Sequence, residues 1–130
     1  MKAELMYLVW VTTFTAVIWI PYILDRIAVQ GLTEAVGYPE NPKRQSPWAR
    51  RMMAAHVNAI ENLVIFAALV LAAQALGVSN GATVLACSIY FWARVVHLFA
   101  YTFAVPWVRT LAFAVGWGAQ MTLAWQLLVR

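Results

Sequence analysis

Four long apolar runs, separated by short polar breaks, leave this chain few folds to choose from. They cover roughly Leu5 to Leu24, Trp48 to Leu76, Ala82 to Phe103 and Trp107 to Val129. A helix needs about 20 apolar residues to cross the hydrocarbon of a bilayer. Composition agrees: the chain is 64% hydrophobic and 11% charged, where a soluble domain has about 45–50% and about 25%. Water would not solvate the surface that such a chain exposes, but a bilayer would. The expected architecture is an all-α membrane protein, a four-transmembrane-helix up-down bundle forming one domain over residues 1–130.

Local signals fix the helix ends. Lys2 and Glu4 sit outside the first run, Asp25 and Arg26 end it on the other side, and Pro21 in its last turn is a candidate kink. Trp19-Ile20-Pro21-Tyr22 is not a small-residue cleavage site, so the run reads as a span and not as a removable leader. The stretch from about Ile27 to Pro47 is punctuated by Gly31, Gly37, Pro39, Pro42 and Pro47 and reads as a polar connection. Ser46 followed by Pro47 is a helix start. Gly77 and Ser79-Asn80-Gly81 form a short turn, and Pro106 precedes the last helix. Cys87, the single cysteine, lies inside an apolar run and reads as a small buried side chain.

The net charge is +4, but the basic residues cluster at the expected membrane edges. Topology explains them better than a nucleic-acid partner does. The first connection carries Arg26, Lys43, Arg44, Arg50 and Arg51, and the third ends at Arg109. By the positive-inside tendency both connections are cytoplasmic and both termini lie outside, with Lys2 and Arg130 opposing and outnumbered. The brevity of the chain suggests a bacterial inner membrane.

Ionisable residues inside spans are expensive and mark function or structure. Glu61 on the second helix and Arg94 on the third both fall roughly 14–15 Å from the cytoplasmic helix ends at 1.5 Å per residue, so they are expected to pair. Two readings stand: the pair locks two helices together, or it belongs to a working site. Arg50, Arg51, Asn58, Glu61 and Asn62 share one face of the second helix, and His56 falls off it as a packing or loop-contact histidine. Tyr90, Arg94, His97 and Tyr101 form a narrow stripe on the third helix. Arg109 and Thr110 stand at the start of the fourth, where free N–H groups and a cation suit an anion or a thiolate. The alternative for Arg109 is a membrane-edge anchor.

No HExxH, CxxC, phosphate loop or serine triad pattern is present, and the two His residues and Glu61 lack metal-ligand spacing. A small multidrug transporter would need a carboxylate in the first span, and Leu5 to Leu24 contains none.

These residues resemble the MAPEG family, the membrane-associated proteins of eicosanoid and glutathione metabolism. The resemblance rests on three motifs in order: Arg51-Met52-Met53-Ala54-Ala55-His56-Val57-Asn58-Ala59-Ile60-Glu61-Asn62 with Phe66, Arg94-Val95-Val96-His97-Leu98-Phe99-Ala100-Tyr101, and Pro106-Trp107-Val108-Arg109-Thr110. It implies a homotrimer in lipid, with glutathione as cosubstrate between subunits and a lipophilic small molecule as second substrate. Family members are glutathione transferases, peroxidases or eicosanoid synthases, and one is a non-enzymatic lipid-presenting protein. By resemblance, Asn58 and Glu61 contact the glutathione backbone, and His97 and Tyr101 line the pocket. Arg26 stands roughly where a first-helix arginine binds a glutathione carboxylate, and Arg109, with Thr110 beside it, stabilises the thiolate. Arg50, Arg51 and Arg94, from the polar faces of the second and third helices, complete the expected binding set. Two positions depart from the family. Ala54 stands where many members have a glutathione-binding arginine, with Arg50 one turn earlier on the same face. Phe113 stands where some carry a tyrosine. The alternative reading is a lipid-binding or scaffold protein of the same fold with little or no glutathione binding.

Overall fold

The first apolar run is one segment but two helices. In the computed structural model, which describes residues 1–129, α1 spans Ala3–Val17 and α2 spans Trp19–Gln30. Pro21 is the cause of the break: it has no N–H for the Val17 carbonyl, and its ring crowds that carbonyl. Ile18 falls between the helices, its N–H reaching the Thr15 carbonyl at a long 3.4 Å. In hydrocarbon such a loosened carbonyl needs another donor, and His56 supplies it, with Nε2 2.9 Å from the Thr15 oxygen. A carbonyl only accepts, so the proton is on Nε2, and Nδ1 accepts from the Tyr22 hydroxyl at 2.8 Å. His56 is therefore a helix-packing residue, as its position off the polar face implied.

The helix also outlasts the span. Asp25 and Arg26 were expected to end the first helix, but α2 runs on to Gln30 and stops at Gly31 (φ 85°). The connection is not all loop, for a short helix α3 covers Leu32–Val36. Helix α4 spans Pro47–Leu76, with Ser46 and Pro47 placed as expected. Ser46 makes no capping bond to its own helix. Its hydroxyl and its N–H both donate to the Asp25 carboxylate, joined by the Gln45 amide, so the far end of the connection is tied to α2. Helix α5 spans Gly81–Thr102 and α6 spans Val108–Leu128. Asn80 and Thr83 form a reciprocal capping box at the start of α5. Thr83 also donates to Glu4 at 2.9 Å. Glu4, expected outside the first span, is thus buried within α1.

Among the described residues all regular structure is helical. Three segments are long and apolar enough in themselves to cross a membrane: Ala3–Gln30, Pro47–Leu76 and Gly81–Thr102. Helix α6 has 21 residues, enough to cross, but Gln120 and Gln126 interrupt its apolar run. It packs chiefly on α5. One core cluster joins Val11, Phe66, Val70, Cys87, Tyr90 and Leu123 across α1, α4, α5 and α6. Phe66 and Tyr90 stack there at 3.9 Å, so Tyr90 is a core residue and not a lining one. Cys87 is free and buried. A second cluster, Ile18, Met52, Ala55, Ala59 and Leu98, fixes the interrupted first segment against α4 and α5.

Candidate functional site

The site lies at the end of the bundle where α4 begins, α5 ends and α6 begins. Tyr101 is its hub, because three adjacent hollows share it. One, of about 320 Å³, is lined by Asn58, His97, Tyr101, Arg109, Thr110 and Phe113. A second, of about 230 Å³, adds Arg51 and the backbone of the α5–α6 turn. The third, of about 290 Å³, brings Pro47, Arg50, Arg51 and Ala54 to the same tyrosine. The Arg109 guanidinium carbon stands 4.5 Å from the centre of the Tyr101 ring, a cation–π contact worth about 0.5–1 kcal/mol at an open site. The ring also meets His97 edge to face at 5.8 Å.

The helical repeat explains the convergence. His97 and Tyr101 are four apart on α5, and Arg94 lies three before His97, so all three project toward α4 and α6. Arg94 and His97 are 4% and 2% exposed, so this part of the stripe is turned into the bundle. Arg109 and Thr110 are exposed in the first turn of α6, where unbonded N–H groups and the helix dipole favour negative charge.

One expectation fails. Arg94 does not pair with Glu61. Its Nη2 donates to Asn58 Oδ1 at 2.8 Å and lies 3.4 Å from His97 Nδ1. Rotation about α4 decides the partner: Asn58 is turned inward, and Glu61 is exposed. Glu61 lines none of the three hollows. Arg26, on α2, is half-buried and also absent from them. Within this single chain the structure therefore brings together Arg50, Arg51, Asn58, His97, Tyr101, Arg109 and Thr110, with Arg94 behind Asn58. It does not bring in Arg26 or Glu61. Both departures from the family pattern line these hollows: Ala54 beside Arg50, and Phe113 beside Arg109.

Two participants escaped the sequence reading. Gln120 is 1% exposed and donates to the Asn62 carbonyl at 3.1 Å, joining α6 to α4. A glutamine within an apolar run was the available signal, the same kind that singled out Arg94. The other is the Thr102 carbonyl, to which Arg51 Nε donates at 2.9 Å. A backbone acceptor has no signature in a residue pattern. Among the described residues no group of three or more His, Cys, Asp or Glu side chains is placed to hold a metal ion.

A helical membrane chain whose arginines, histidine, asparagine and tyrosine meet at one end of the bundle defines a class that residues 9–129 match directly: the chain belongs to the MAPEG family. It is similar to microsomal glutathione S-transferase 1 of Homo sapiens, 32% identical over 98 residues, covering 72% of this chain and 63% of that protein. The Bos taurus protein of the same name is 32% identical over 96 residues, 71% of this chain and 62% of the relative. The Rattus norvegicus one is 33% identical with the same coverage. The chain thus spans less than two thirds of the length of these relatives. No solved structure matches it.

Proposed function

We propose that this chain is a membrane-bound glutathione transferase or peroxidase, which activates the glutathione thiol as thiolate for attack on a lipophilic electrophile or lipid hydroperoxide. The observation that carries the reading is the placement of Arg109 and Thr110, at the start of α6, on the same hollow as Asn58, His97 and Tyr101. Glutathione carries two carboxylates and a thiol. Arg50, Arg51 and Arg109 border the three hollows that share Tyr101, which suits the two carboxylates and the thiolate. A cation at a helix start lowers a thiol pKa, as it does for protein cysteines. The sulfur then bonds to the electrophilic carbon, and the leaving group departs with its electron pair. The second substrate comes from the bilayer. The similarity to proteins named glutathione S-transferase supports the same chemistry.

The working unit in this reading is a homotrimer of four-span protomers, each a single domain. The termini are on the non-cytoplasmic side, and the membrane is a bacterial inner membrane. Support for assembly comes from α4. Ala54, Val57, Glu61, Val64, Ala68 and Leu71 recur at alternating spacings of three and four and are all exposed. A carboxylate facing hydrocarbon is costly, so a face carrying Glu61 calls for a neighbouring subunit. There Glu61 and Arg26 would reach a glutathione bound between protomers.

A non-catalytic lipid-binding or scaffold role is favoured by one observation, that Asn58 is already bonded to Arg94. The two readings separate on adding glutathione to purified, assembled protein. Catalysis requires the ultraviolet band of a thiolate and a raised melting temperature. A folded trimer that shows neither is a scaffold.

A further inference from the structure

Among the described residues only Ala104 (φ 55°) and Trp107 (φ 68°) hold left-handed backbone without being glycine. Both lie in the connection between α5 and α6, which separates Tyr101 from Arg109. At the end of α5 the Val105 N–H reaches the Ala100 carbonyl at 2.9 Å, and the Ala104 N–H reaches that of Tyr101 at 3.3 Å. This is the Schellman pattern of helix termination. It also closes α4, through Val78 to Ala73 at 2.9 Å and Gly77 to Gln74 at 3.3 Å, but there the left-handed residue is a glycine (φ 69°). In α5 it is an alanine, whose Cβ makes the conformation cost about 1–2 kcal/mol. Next, the Val108 N–H closes on the Pro106 carbonyl at 2.8 Å around Trp107 (φ 68°, ψ −37°). That is a γ-turn of the rare, strained hand.

Strained backbone persists only where its surroundings over-determine it. The Schellman bonds leave the Thr102 carbonyl unclaimed, and the residue four further on is Pro106, which has no N–H to offer. Thr102 is 1% exposed, so an unmet carbonyl there would be costly. Arg51 meets it through Nε at 2.9 Å, and its charge suits the C-terminal end of a helix.

We infer that Arg51 is a positioning residue: its Nε–H bond to the Thr102 carbonyl holds the strained α5–α6 turn in register, and so keeps Arg109 over Tyr101. The consequence for chemistry rests on the proposed role of Arg109, but the hold on the turn does not.

Three variants of the full chain separate the donor from the charge. In Arg51→Gln the amide Nε2 is as many bonds from the backbone as the arginine Nε, so the donor stays and the charge goes. Arg51→Lys keeps the charge and has a methylene at that position. Arg51→Ala removes both. The readout is hydrogen exchange of the Ala104 and Val105 amides in purified protein without glutathione. Exchange is expected to rise about tenfold in the Ala and Lys variants, as for loss of one charge-assisted hydrogen bond, and to stay near wild type in the Gln variant. Amides in the middle of α4 should not change. An Ala variant as slow as wild type overturns the assignment, as do equal rates in the Gln and Lys variants or a fast Gln beside a slow Lys. Where the Ala variant does not fold, the Gln–Lys comparison decides. The glutathione thiolate band is read in parallel: its absence from wild type defeats the proposed function, while exchange still judges Arg51.

Discussion

Arg109 lies over the face of Tyr101, its guanidinium carbon 4.5 Å from the ring centroid. Arg109 also lines the hollow shared with His97 and Thr110. Arg109→Ala should abolish the glutathione thiolate band and leave assembly intact, checked by ultraviolet difference spectra and by native mass in detergent. Tyr101→Leu keeps the charge but removes the ring that orients it. It should shift the glutathione thiol pKa upward without eliminating the band.

Arg94 and Asn58 are bonded at 2.8 Å inside the bundle. Asn58→Ala would leave a cation that is 4% exposed without its best acceptor, a loss of about 1.5–3 kcal/mol for a bond to a charged group. Glu61→Ala should cost the chain itself little, because Glu61 is exposed on it, and should weaken the proposed trimer. Melting temperature and native mass, read together, check both. Equal loss of protomer stability in the two variants would count against this division.

His56 bridges the interrupted first segment and α4 by two bonds of 2.9 and 2.8 Å. His56→Ala removes both and exposes the Thr15 carbonyl, and should lower stability by about 1–3 kcal/mol. Tyr22→Phe removes only one and should cost less. A denaturant series on the two variants in the same detergent gives the ranking.

Ala104 occupies a glycine's conformation. Ala104→Gly relieves backbone strain of about 1–2 kcal/mol and should raise the melting temperature by a few degrees, less the entropy that a glycine adds to the unfolded chain. If the strain serves to hold Arg109, glutathione activation will fall in the same variant, which kinetic measurement beside the melting curve will reveal.

Much of this was legible in the residue order. The ends of α4, α5 and α6 fall within a residue or so of the expectation, because Ser46-Pro47, Gly77 and Pro106 are chemical stops. The set of residues around Tyr101 was legible as well, since spacings of three and four on one helix force a common direction. What the order could not supply was rotation. Glu61 and Asn58 are less than one helical turn apart, so depth alone could not decide which of them meets Arg94. Asp25 misled for a different reason: a charge ends the lipid-facing part of a helix without ending its hydrogen bonding, and α2 continues to Gln30. The grip of Arg51 on Thr102 was hidden because its acceptor is main chain.

The break at Ile18 bears on how such a chain enters a membrane. A first segment released alone into lipid would carry the Thr15 carbonyl with only a stretched internal donor, and the imidazole that completes it arrives with α4. The two segments therefore reach a settled state as a pair. One histidine therefore couples the way the first segment settles in lipid to the presence of the second.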